Sequence, residues 1–142
     1  MSLLTINLDK LITADHKFEE RKLAHVEAIK EAGDAFFQAG FPFHGGHLQL
    51  RNNTDRTNWL TAMAGYQLQI AQGNGLVEGA SFRTAENHTV SLSFNDAVMA
   101  LAQMIGWADQ LYRVSWAKQD AARAATNDEE LQAVSLTDGW FD

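Results

Sequence analysis

The sequence contains no cysteine, which excludes disulfides, thiolate metal sites and cysteine catalysis. Basic residues are also few: 11 lysines and arginines stand against 18 aspartates and glutamates, so the net charge is −7. The basic residues are scattered along the chain, a pattern that disfavours binding to nucleic acid or to an anionic membrane surface. No apolar run approaches the roughly 20 residues of a membrane-spanning helix, so we expect no membrane insertion.

The residues that are present suit a globular protein. The chain has 142 residues, of which 46% are hydrophobic and 10% aromatic, enough to build a core without disulfides or a structural metal. No linker composition, repeat or low-complexity tract interrupts it. We therefore predict an N-terminal arm over residues 1–12 and a single domain over residues 13–142.

The first helix is predicted over about residues 13–39, where apolar side chains recur at the 3.6-residue period. Thr13 or Asp15 can cap its start, and Gly40 is well placed as its end, with Pro42 just beyond. At about 1.5 Å per residue this helix is roughly 40 Å long. That exceeds what a compact domain of this size can cover, so we expect one end to pack on a partner.

Two further helices follow from the same periodicity. One covers about residues 55–72, with Thr54 or Asp55 as its cap and the glycine-containing segment 73–75 as its end. The other begins within residues 93–96 and continues to about Ala125.

A short fourth helix is predicted after the third. Thr126 and Glu129 stand three residues apart and form a capping-box pattern. This helix should end at about Val134.

Two β-hairpins are predicted between the helices. The first lies within residues 41–50 around the adjacent glycines 45–46, which suit a tight turn. The second lies within residues 80–93, where side chains alternate and residues 86–87 form the turn. The two hairpins could pair into one sheet. The expected fold class is α+β, mainly α: three main helices and a short C-terminal helix packed with one or two small antiparallel hairpins.

Few residues suggest chemistry. His44 and His47 flank the first turn and, with His88, could in principle bind zinc; as polar turn residues they need no such role. Neighbouring carboxylates are explained by helix capping and solvation, and the glycines at 73–79 follow a helix, whereas a phosphate loop precedes one. We predict no catalytic residue, no cofactor and no metal site.

The aromatic residues are the remaining candidates. Trp59 and Trp116 fall on apolar helical stripes, so we expect both in the core. Trp107 lies off the stripe of its helix, and Trp140 and Phe141 lie close to the end of the sequence; such residues either enter the core or contact a partner. The predicted partner-binding residues are Phe43, His44, His47, Trp107, Trp140 and Phe141.

Four motifs follow one another in a distinctive order. They are Phe-x-x-Gly-Phe-x-Phe-x-Gly-Gly at residues 37–46, Ser-Phe-Arg-Thr-x-x-Asn-x-x-Val-Ser-Leu-Ser at residues 81–93, Thr-x-x-Glu-Glu-Leu at residues 126–131, and Gly139-Trp140. From about Thr13 onwards the chain resembles a family of uncharacterised domains of bacteriophage genomes, found in small tail-associated proteins and at the ends of tail-fibre proteins.

The chain departs from the pattern of that family at three places. Phe82 stands where the family has a strand tryptophan, and Glu86 where it has a turn aspartate. Phe141 follows the closing Gly-Trp where the family often has proline. The family carries no established catalytic residues, so the resemblance transfers none.

The resemblance implies a virion component associated with a tail, baseplate or fibre, not an enzyme. It would act by binding other virion proteins and copies of itself. Its location would be the virion, which is assembled in the host cytoplasm. One alternative is a fibre-tip module that binds host-surface glycans or proteins through Phe43, His44, His47 and His88. A second is a metal-assisted hydrolase that uses the three histidines.

Overall fold

The computed structural model describes the backbone of residues 3–141 and the side chains of residues 13–141. The element order is α1 (Leu3–Ala39), β1 (Phe41–Phe43), β2 (Gly46–Leu48), α2 (Asn53–Ala71), β3 (Ala80–Arg83), β4 (Thr89–Leu92), α3 (Phe94–Ala124) and α4 (Asp128–Gln132). The fold is α+β and mainly α, as predicted. Within this described part of the chain, none of the helices combines the length and the apolar character needed to cross a membrane.

The chain divides into two compact units. The first unit contains the chain up to Gly33 together with the chain from Leu111 onwards, and the second contains residues 34–110. The long helices α1 and α3 each contribute residues to both units.

Helix α1 begins earlier than predicted. It starts at Leu3, so the predicted arm is helical from that residue, and Thr13 and Asp15 lie inside the helix, where neither can be its cap. Residues 3–12 contain neither proline nor glycine, and nothing in their sequence stops the helix from extending. The predicted end is confirmed: Gly40 has a φ of 94°, and its N–H donates to the carbonyl of Phe36 at 3.0 Å.

The core of the first unit explains the glycine inside α1. Val26 and Ile29 on α1, Leu111 on α3 and Leu131 on α4 are all buried. A Cβ at Gly33 would meet the Trp140 ring at 3.4 Å, so the glycine lets the indole lie against the helix. The indole N–H of Trp140 donates to the carbonyl of Leu136 at 3.0 Å, which holds this ring in the core. Trp116 of α3 is also predicted in the core, but it is 59% exposed, so that prediction is wrong.

The short helix α4 is capped one residue later than predicted. Asn127 is the N-cap and accepts the N–H of Glu130 at 2.8 Å. The Glu130 carboxylate accepts the N–H and the hydroxyl of Thr126, both at 2.9 Å. The acidic residue of the capping box is therefore Glu130, and the predicted Glu129 does not take this role. These hydrogen bonds lower the pKa of Glu130. Arg21 of α1 holds the helix start through two bonds of 2.9 Å to Asp128.

The start of α2 also differs from prediction. Asn52 is the N-cap, and its side chain accepts the N–H of Asp55 at 2.9 Å. Asp55 is not a cap; its carboxylate accepts the backbone N–H of Arg51 at 2.8 Å and two guanidinium N–H groups at 3.0 and 3.2 Å. The end is as predicted, with Gly73 at a φ of 89°.

The Arg51–Asp55 pair predicts a pH dependence of stability. The guanidinium of Arg51 hydrogen-bonds the carboxylate and holds the pKa of Asp55 below its ordinary value. A depressed folded-state pKa stabilises the fold above the unfolded-state pKa of about 3.9, and this stabilisation is lost as pH falls through the folded-state value. Asp55→Asn should therefore cost about 1 kcal/mol at pH 7 and lose less stability than the original chain on acidification.

Urea unfolding at pH 7, 4 and 3 measures this difference. The variant should keep part of the pH dependence because the pKa of Glu130 is lowered as well. Parallel losses in the variant and the original chain would show that the pair contributes nothing to acid sensitivity.

The first hairpin is displaced by one residue from the prediction. His44 and Gly45 occupy the turn with φ of 47° and 79°, as a two-residue turn with two positive φ values requires. Gly46 belongs to β2 and pairs with Phe43. A Cβ at Gly46 would lie 3.0 Å from a Glu86 carboxylate oxygen, so the missing side chain makes room for that carboxylate.

The second hairpin is confirmed, including its turn. Ala80 pairs with Leu92 and Arg83 with Thr89, and Asn87 in the turn has a φ of 66°. The two hairpins form two separate two-stranded sheets and do not join into one. Helix α3 follows directly, and Ser93, at the predicted start of this helix, accepts the N–H of Asp96 at 3.1 Å.

Candidate partner-binding surface

An aromatic cluster in the second unit determines which face of α2 points inward. Phe82 of β3 is 1% exposed, and the rings of Phe43, Trp59 and Tyr66 lie 5.2, 5.7 and 5.9 Å from it. The indole N–H of Trp59 donates to the carbonyl of Gln49 at 2.7 Å. Trp59 and Tyr66 therefore hold one face of α2 against the hairpins, and the opposite face points away from them.

The outer face of α2 exposes leucines at regular spacing. Leu60 and Leu68 are 57% and 62% exposed, and the exposed Ala64 lies midway between them. No residue of this 19-residue helix is fully buried. Two more exposed apolar side chains, Leu76 and Val77, come next along the chain in the loop after the helix.

The same segment carries no charge. Residues 57–77 contain no lysine, arginine, aspartate or glutamate, the longest such stretch in a chain of net charge −7. Leu23 on α1 provides a contrast: it is 67% exposed, but Glu20 and Glu27 are its neighbours on the helix. A single exposed leucine among charges is ordinary, whereas several on an uncharged face are typical of a contact site.

Two of the predicted partner-binding residues lie in the core. Phe43 is 6% exposed and packs against Phe82, and Trp140 is 2% exposed and covers Gly33. The Nζ of Lys118 lies 5.2 Å from the centre of the Trp140 ring. Burial leaves almost none of either ring for a partner, so the prediction that these two side chains contact one is corrected.

Two other predicted aromatic residues retain some exposure. Trp107 is half-buried, with its ring 5.9 Å from Phe37 and 5.7 Å from Phe41, edge-on to both. Phe141 is exposed. They belong to different compact units, so neither unit contains the predicted set as one patch.

The predicted histidines lie on the two hairpins, with His44 in the first turn, His47 in β2 and His88 next to β4. The Nδ1 of His47 lies 3.1 Å from Oε1 of Glu86, while His44 is exposed at its turn and its ring lies edge-on to Phe43. His88 is exposed on the second hairpin. Across the described residues, no three histidine, aspartate or glutamate side chains are arranged to hold a metal ion.

Two features of this surface were not identified from the sequence. One is the His47–Glu86 pair. Its members are 39 residues apart, so the pair could not be identified without knowing that the two hairpins lie next to each other. The other is the outer face of α2, which could have been identified from the sequence. Leu60 and Leu68 lie off the stripe of Trp59 and Tyr66, in a segment without charged residues.

The fold and surface define a small helical α+β protein with an exposed, uncharged helix face. The sequence model of the family described as Domain of unknown function (DUF4376) matches residues 20–135, and the chain belongs to this family. The match includes both hairpins and all of α2. No curated protein and no solved structure matches the chain.

Proposed function

We propose that this chain is a structural or accessory component of a bacteriophage virion, in the tail, baseplate or fibre, and that it acts by protein–protein assembly. The observation that carries the assembly role is the uncharged outer face of α2, where Leu60 and Leu68 are more than half exposed. Covering such a face removes apolar surface from water without desolvating any charge. The phage context comes from the resemblance of the motifs at residues 37–46 and 81–93.

The length of α1 supports the same proposal. Its 37 residues give a helix about 55 Å long at 1.5 Å per residue. From Thr13 to Lys17 every side chain is exposed. We propose that this exposed stretch contacts a neighbouring virion protein.

The two alternatives have less support. A host-surface binding module would present Phe43 to its ligand, and the burial of that ring counts against this use. A metal-assisted hydrolase would bring three histidines together, whereas His47 pairs with Glu86. No specific observation favours either alternative over assembly.

The test is incorporation into particles. Virions purified by density gradient from the phage that encodes this chain should contain it in a fixed ratio to the tail proteins, measured by quantitative mass spectrometry. The ratio should survive a high-salt wash that removes adsorbed proteins. A replication protein of the same phage serves as the control and should be absent. Absence of the chain from washed particles would contradict the virion role.

A further inference from the structure

We propose that the outer face of α2 binds a second copy of this chain, with the two α2 helices antiparallel and a two-fold axis at Ala64. This inference rests on the proposed assembly function and names both the surface and the partner. It concerns residues of the second unit alone.

The spacing of the exposed residues supports the two-fold axis. Leu60 and Leu68 lie four residues before and four residues after Ala64, about 6 Å along the helix in each direction. In an antiparallel pair centred on Ala64, Leu60 of each copy lies opposite Leu68 of the other. Residues four apart form a ridge on a helix surface, and two such ridges interdigitate at a crossing angle of about −50°.

The absence of charge favours a copy of the same chain. Two copies of a protein of net charge −7 repel each other, and this repulsion is weakest where no charged side chain faces its counterpart. Residues 57–77 meet that condition. A two-fold interface also requires a patch that complements itself, and the Leu60–Ala64–Leu68 pattern does so, whereas a different partner would need no such symmetry.

Gly65 is compatible with a close approach of the two helices. A glycine inside a helix lowers helix stability compared with alanine. A Cβ built at Gly65 would have no heavy atom within 4 Å in the described chain, unlike Gly33, where the Trp140 ring lies against the helix. Together with Ala64, Gly65 leaves room at the proposed axis for a second helix to approach closely.

Light scattering over a concentration series tests the dimer. The original chain should approach twice its monomer mass of 15.8 kDa as concentration rises. Leu68→Glu places a charge in both halves of the interface and should raise the dissociation constant at least roughly 100-fold. Leu23→Glu is the matched control, with the same change of charge at a similarly exposed helical leucine, and should leave the dissociation constant unchanged. Circular dichroism should show that both variants fold.

A charge-swap variant tests the antiparallel arrangement. In Leu60→Lys/Leu68→Glu, the lysine introduced at position 60 of one copy lies opposite the glutamate introduced at position 68 of the other. Association should recover to within roughly tenfold of the original, because opposite charges meet twice. A parallel pair would bring like charges together and would not recover.

Three results would overturn the inference: a monomer at every concentration, an unchanged dissociation constant for Leu68→Glu, or no recovery in the double variant. None of them bears on incorporation into purified virions. The proposed function and this inference can therefore fail separately.

Discussion

Replacing Phe82 by alanine should lower the free energy of unfolding by about 3–5 kcal/mol, the range for removing a buried aromatic ring from a packed core. Phe82 is 1% exposed, and it lies among Phe43, Trp59 and Tyr66. These residues come from the first hairpin and α2. The alanine would leave a cavity that α2, held by the Trp59 bond to Gln49, cannot easily close.

Urea unfolding followed by tryptophan fluorescence measures the loss, because Trp59 lies against the mutated ring. Phe82→Leu is the control, since it keeps most of the apolar volume and should lose less than half as much. A loss below about 1 kcal/mol for Phe82→Ala would show that the cluster does not hold the second hairpin to α2.

The features that the sequence predicted correctly are determined locally. Gly40 and Gly73 end helices because the backbone there needs a positive φ, and the second hairpin follows from alternation over a few residues. The N-caps of α2 and α4 were misplaced because several residues able to cap stand side by side. Asn52 and Asn127 take the role, while the carboxylates of Asp55 and Glu130 accept hydrogen bonds from Arg51 and Thr126.

The errors among the predicted binding residues have a different cause. Whether Phe43 and Trp140 face a partner or the core depends on residues distant in sequence. Phe82 of the other hairpin buries Phe43, and Gly33 of α1 receives the Trp140 ring. Periodicity within one helix or strand contains no information about such contacts.

The outer face of α2, in contrast to these binding residues, has a local signature in the sequence. Its exposed leucines could have been identified from the sequence, because Trp59 and Tyr66 define an inner stripe and Leu60 and Leu68 lie off it. The structure adds that no residue of this helix is fully buried. Both properties follow from a helix that packs through only a few large aromatic rings.

Gly40→Ala should be the most damaging of the glycine substitutions, with a loss of about 2–5 kcal/mol. Part of the cost, about 1–2 kcal/mol, is the strain of an L-residue at a φ of 94°. The remainder is overpacking, about 1–3 kcal/mol, because the new Cβ would lie 2.5 Å from the carbonyl oxygen of Leu48. That carbonyl belongs to backbone held by pairing with Phe41, so it cannot move without breaking the first hairpin.

Gly45→Ala separates the two costs. Gly45 also has a positive φ, 79°, but a Cβ there would meet nothing within 4 Å. Its loss should therefore be the strain alone, about 1–2 kcal/mol, and the difference between the two variants in urea unfolding measures the clash. Equal losses would mean that the chain after α1 relaxes around the new methyl group. Gly40 would then be required only for its backbone conformation, and the first hairpin would tolerate more than one position relative to the end of the helix.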